Sequence, residues 1–145
     1  MRFHDFTLHQ DILRAVDELG FETCTEVQEK TLAQTLSGRD VAVQSQTGTG
    51  KTAAFLISIY QLLLSDSRYQ GRRALIVAPT RELAVQIDQD AQDLGKHLSF
   101  NTATFHGGVG YGGQRQALSD GVDLIIGTPG RILDLVSSRS LSFRN

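Results

Sequence analysis

The feature that most limits how this chain can fold is the junction Ser45-Gln46-Thr47-Gly48-Thr49-Gly50-Lys51-Thr52. A β-like run, Asp40 to Gln44, leads into it, and a helix-like run, Ala53 to Ile59, leads out. Strand, glycine-bearing loop, Lys-Thr and helix in that order predict a phosphate-binding loop. Gly48 and Gly50 permit backbone angles that turn several N–H groups into one concavity. The helix starting near Gly50 adds unpaired N–H donors and the positive end of its dipole. Lys51 is spaced to reach terminal phosphates, and Thr52 to set its hydroxyl on Mg²⁺. The general pattern has glycine at its first position; Ser45 stands there instead, so the first turn has less freedom.

The rest of the chain alternates strand and helix around this junction. Ile12, Leu13, Val16 and Leu19 fall at helical spacing within Leu8 to Leu19, and Gly20 is placed to end that helix. Thr25 with Gln28 three residues later reads as a capping box for a second helix, stopped at Ser37-Gly38. Ala53 to Leu64 is apolar nearly all round, as a helix packed on a parallel sheet would be. Continuous apolar strands are predicted at Ala74 to Ala78 and Val122 to Ile126, with a weaker one at Asn101 to Phe105. Helices are expected after Pro79, around Gln114 to Ser119, and from Arg131 to Val136. This pattern calls for an α/β fold with a parallel sheet and right-handed crossovers.

Each predicted strand runs into a small or turn-forming cluster: the phosphate loop, Pro79-Thr80-Arg81, Gly107-Gly108 and Thr128-Pro129-Gly130-Arg131. Ligands of open parallel sheets bind at the carboxyl ends of strands. Taken singly these loops are turn chemistry; as a set, with two arginines near helix starts, they suit anionic phosphates.

Size and composition agree with one soluble domain. The chain has 145 residues, of which 40% are hydrophobic and 21% charged, enough to bury a core. A net charge of −2 argues against binding nucleic acid by bulk charge, although local basic groups at a groove remain compatible. The single cysteine, Cys24, permits no internal disulfide or zinc cluster and reads as a small buried filler. Neither a signal peptide nor a run of ~18 apolar residues is evident, so a cytoplasmic protein without a membrane partner is expected.

Five stretches in order give the chain a family likeness. It resembles the N-terminal RecA-like half of the DEAD-box ATP-dependent RNA helicases, bacterial members above all. Gly20-Phe21-Glu22-Thr23-Cys24-Thr25-Glu26-Val27-Gln28 looks like the Q motif, with Phe3 as its upstream aromatic, and Cys24 stands where the family more often has proline. Ser45 to Thr52 is similar to motif I, where Ala or Ser is usual at the first position. Pro79 to Ala84 is similar to motif Ia, Gly107-Gly108 to the GG element, and Thr128 to Arg131 to motif Ib.

The resemblance implies a RecA-like parallel sheet with helices on both faces, and divides the chain into Q-motif helices at 1–37 and a partial ATP-binding domain at 38–145. It implies ATP and Mg²⁺ as cofactors, with Gln28 on the adenine edge, Phe3 stacked on the ring and Thr25 anchoring the loop. Lys51 and Thr52 become catalytic. Pro79, Thr80, Arg81, Gly107, Gly108, Thr128, Pro129, Gly130 and Arg131 would hold an RNA backbone without reading its sequence.

The family's Asp-Glu-Ala-Asp motif, Ser-Ala-Thr element and second RecA-like domain do not occur in this sequence. The chain is therefore expected to bind adenine nucleotide without completing hydrolysis, and two strands that would lie beside Ala74 to Ala78 are expected to be missing. Such a gap favours rearrangement or self-association. Another phosphate-loop enzyme, such as a DNA-directed helicase or small kinase, and a scaffold with a vestigial nucleotide site are the competing readings.

Overall fold

A computed structural model describes residues 1–107 and 111–144. Two compact units emerge, one of residues 1–70 with 93–99, the other of residues 71–92 with 100–145.

The first unit is helical. A 3-10 turn at Phe3–Asp5 precedes α1 (Gln10–Glu18), α2 (Glu26–Thr35) and α3 (Lys51–Ser65). His9 starts α1 by accepting the Asp11 N–H on Nδ1 at 3.1 Å, and Gly20 follows its end at φ +77°. The sequence-predicted capping box on α2 is present in both halves, Gln28 N–H to Thr25 Oγ1 at 3.2 Å and Thr25 N–H to Gln28 Oε1 at 2.9 Å. Ile12, Ala15, Val16, Leu32, Leu56, Ile57 and Tyr60 are buried in this unit. A buried hydroxyl pair, Thr35 and Ser58 at 2.6 Å, ties α2 to α3; one hydroxyl donates to the other, and the accepting one donates to a carbonyl one turn back in its own helix.

One predicted element does not form. Asp40 to Gln44 was expected as the strand before the phosphate loop, yet residues 39–46 carry no ladder. The stretch borders a groove with Glu26, Val27, Lys30, Thr31 and Gln34. A short apolar run makes a strand only when a neighbour supplies ladder partners, and that is a non-local condition.

The second unit holds the sheet. Its strands β1 (Ala74–Val77), β2 (Thr102–Phe105) and β3 (Leu124–Gly127) run parallel in the order β1-β3-β2, with α4 (Arg81–Leu94), α5 (Tyr111–Asp120) and α6 (Pro129–Ser137) around them. This is the parallel α/β class the alternation called for. β3, in the middle, is buried along its whole length, which its unbroken apolar sequence anticipates. Phe105, Val122, Ile125, Ile132, Leu135 and Leu141 form one core cluster. α5 begins earlier than expected, at Tyr111, despite its glycines. Among the described residues no helix is long and apolar enough to cross a membrane.

The register aligns the strand ends. Val77, Gly127 and Phe105 are partners across the sheet, so the loops after the three strands leave at one level. Gly127 sits where the sheet meets α6. A Cβ there would lie 2.5 Å from Ile132 Cδ1 and 2.9 Å from the Phe105 carbonyl oxygen. Gly127→Ala is expected to cost about 1–3 kcal/mol, because a backbone oxygen cannot rotate aside as a side chain can. Urea denaturation checks this; an unchanged midpoint would refute it.

In the first unit, Glu18 accepts from Lys96 Nζ at 2.7 Å and lies 2.9 Å from His97 Nε2. The Lys96 hydrogen bond, with His97 beside it, lowers the Glu18 pKa from 4.5 to about 2. The folded state thus binds fewer protons, and the resulting stability is present above pH 4.5 and lost as pH falls toward 2. Glu18→Gln should lower the melting temperature at pH 7, and the gap should close through that acid window. Melts that diverge further in acid would contradict it.

Candidate functional site

The phosphate loop is shaped by its two left-handed glycines, Gly48 at φ +81° and Gly50 at φ +82°. Gly50 is the residue from which α3 starts, so the first N–H groups of that helix open toward the loop. No other residue fits there. A Cβ on Gly50 would collide with the Gln28 carboxamide, whose Cδ would lie 2.9 Å away.

Two side chains of the α2 start hold this loop. Thr25 Oγ1 donates to the Thr49 carbonyl at 2.7 Å, and Gln28 Nε2 donates to the Gly50 carbonyl at 3.3 Å. Gln28 is only 6% exposed. Its amide therefore closes the helix cap and braces the loop together. Capping alone, the plain reading of Thr25 and Gln28, accounts for half of their contacts.

Inside the loop, Ser45 answers the question its position raised. Its hydroxyl lies 2.6 Å from Thr49 Oγ1, and Thr49 Oγ1 donates to the Gln46 carbonyl at 2.9 Å. The serine thus knits the loop's first turn where glycine would supply only freedom. Lys51 Nζ donates to the Ser45 carbonyl at 2.6 Å, folding its charge over the loop it would serve. Thr52 is half-buried in the first turn of α3. Gln46 and Thr47 are exposed at the loop tip.

Phe3 sits differently from an open stacking platform. Its ring is 1% exposed and lies 6.3 Å, centroid to centroid, from Phe21. The N-terminal stretch is tied down there, with Phe3 N–H on the Glu22 carbonyl and Cys24 N–H on the Met1 carbonyl. Cys24 is buried, which pushes its thiol pKa up.

The second unit gathers the other candidate residues on its strand ends. Pro79 and Thr80 follow β1, and Thr80 Oγ1 caps α4 by accepting the Leu83 N–H at 3.2 Å. Arg81 is exposed and lies 3.6 Å from Glu82 Oε1, a weak surface pair that leaves the guanidinium in solvent. Gly107 is exposed with open space where a Cβ would stand. Gly108 lies outside the described residues. After β3, Thr128 holds an extended conformation before Pro129, the first residue of α6, and spends no side-chain bond on capping. Pro129 and Gly130 are exposed.

Arg131 is the exception. It is 8% exposed, and its Nη1 donates to Gln114 Oε1 at 3.1 Å. Gln114, 7% exposed, in turn donates from Nε2 to the His106 carbonyl at 3.2 Å. Sequence reasoning did not single out Gln114; within a polar helix, its only sign was one more amide.

Comparison with known proteins follows this geometry. The sequence profile of the DEAD/DEAH box helicase family matches residues 25–145. The chain is similar to the ATP-dependent RNA helicase RhlB of Shewanella piezotolerans, 46% identical over 140 residues. It is 50% identical over 138 residues to the protein of that name from Yersinia pestis. These matches take in 93% and 92% of this chain but 32% of each relative, so it spans about a third of their length. Its fold superposes on a crystal structure of a hypothetical ATP-dependent RNA helicase from Sulfolobus tokodaii with a TM-score of 0.83. That match has 37% identity and covers 92% of this chain and 38% of the other. With the phosphate loop, its bracing glutamine and the aligned strand ends described, the profile match over most of its length establishes that the chain belongs to the DEAD/DEAH box helicase family.

Proposed function

We propose that this chain is the nucleotide-binding part of an ATP-dependent RNA helicase, holding adenine nucleotide in its first unit and RNA backbone on its second. The observation that carries this reading is the grip of Thr25 and Gln28 on the Thr49 and Gly50 carbonyls. Through it, a base reader and a phosphate reader share one set of hydrogen bonds. A carboxamide offers both donor and acceptor, so Gln28 can meet adenine's amino group and ring nitrogen once it turns from the loop. The left-handed glycines and the α3 N-terminus suit the phosphates, with Lys51 moving from the Ser45 carbonyl onto them. Phe3 stacks on the base only after its ring leaves Phe21.

When bound, Mg²⁺ would offset phosphate charge, and Thr52 is the side chain here whose hydroxyl would help hold it. Binding of adenine nucleotide is the activity proposed for the chain itself, in a cytoplasmic setting, with a second RecA-like domain as its working partner.

On the second unit, Arg81 and the exposed backbone of Gly107 and of Thr128 to Gly130 would contact RNA phosphates and sugars. Such contacts position a strand without reading its sequence. Pro79 and Thr80 shape the first of these loops.

Nucleotide titration with a fluorescent ADP or ATP analogue tests the first half. Lys51→Ala is expected to abolish binding, and Gln28→Ala to weaken it by about 1–3 kcal/mol, the worth of a hydrogen-bonded buried group. Equal affinity in wild type and Lys51→Ala would sink the reading, and preference for GTP would point to another phosphate-loop enzyme.

A further inference from the structure

We propose that Gln114 is a positioning residue for the strand-end face, acting through the Gly107 loop and through Arg131, and that Arg131 is not itself a phosphate ligand. This rests on the RNA reading given above. Three observations carry it. Arg131 is buried, so its charge has been taken from water and needs acceptors within the protein. Gln114 Oε1 supplies one at 3.1 Å, and the opposite end of the same carboxamide holds the His106 carbonyl at 3.2 Å. The two groups it joins follow different strands. His106 begins the connection after β2, just before Gly107, and Arg131 lies in the first turn of α6, just after Thr128, Pro129 and Gly130.

One side chain thus sets the spacing of two loops that leave adjacent strands at one level. The backbone is already tied there by Thr128 N–H on the Phe105 carbonyl at 3.0 Å. Gln114 adds the next tie outward, where the exposed glycines begin. A carboxamide suits the place because it is neutral and two-ended. A carboxylate would satisfy Arg131 but lose the donor to His106, and an apolar side chain would lose both. The phosphate contacts then fall to groups in solvent, Arg81 and the loop N–H groups, with the buried arginine acting as a strut.

The test uses the full 145-residue chain and a fluorescein-labelled oligouridylate, titrated across a salt series. Gln114→Met should raise the RNA dissociation constant about 3- to 10-fold through loss of its hydrogen bonds. The slope of log K against log salt should stay as in wild type, whereas Arg81→Ala should flatten it by about 0.7, one phosphate contact on a single strand. Affinity for the fluorescent nucleotide should not move. The Arg131 Nε–H signal in ¹H–¹⁵N spectra should shift in Gln114→Met and return toward its wild-type position in Gln114→Glu. That last comparison needs no RNA and stands even if Gln114→Met melts early. An Arg131 signal identical in all three proteins would overturn the inference, as would Gln114→Met binding RNA as wild type does. So would a slope that Gln114→Met flattens like Arg81→Ala. No RNA binding by wild type at low salt would overturn the reading of the face, and the inference with it.

Discussion

The first unit depends on one contact, the Gln28 carboxamide seated against Gly50. It needs a glycine for room, and the left-handed turn at φ +82° needs a glycine for its backbone angle. Two demands meet at a single position, and the start of α3 follows from both. Once Gln28 and Thr25 hold the Thr49 and Gly50 carbonyls, the loop has fewer conformations left. Helix cap, loop and helix start form one hydrogen-bonded body. Preorganisation of this kind lowers the ordering cost that a bound anion would otherwise bear.

The second unit is organised by register. The parallel pairing sets Leu124 to Gly127 beside Ala74 to Val77 on one side and Thr102 to Phe105 on the other, with the central strand buried along its length. Gly127 ends that strand without a side chain, where Ile132 and the Phe105 carbonyl already fill the space. The strand-end face is therefore a product of core packing. Its exposed glycines sit where they do because the residues beneath them fit in one way.

Much of this was legible from residue types. The capping box, the glycine stops at Gly20 and Gly38, Pro129 at a helix start and the three parallel strands each have a local cause that a sequence displays. What failed to show was non-local. Asp40 to Gln44 reads as a strand but has no ladder, because partners are a property of the sheet and not of the run. Arg131 reads as an RNA-backbone contact beside a helix start, and neither its burial nor its bond to Gln114 of α5 shows in the sequence. Phe3 was legible as an aromatic at the right distance, but its packing on Phe21 was not. Residue identity announces chemistry; which partner claims it is decided by the fold.

The bond from Lys51 to the Ser45 carbonyl has a thermodynamic consequence for the loop. The loop's own backbone is a competing ligand for its principal cation. Any anion that recruits Lys51 must first displace an oxygen already in hydrogen-bonding contact, and the measured affinity is the difference between the two. If only the form with Lys51 released binds, apparent dissociation constants would rise by the inverse of the fraction of chains in that form. Under the nucleotide reading proposed above, whatever loosens Ser45, including its hydroxyl contact with Thr49, would change that affinity without touching the ligand.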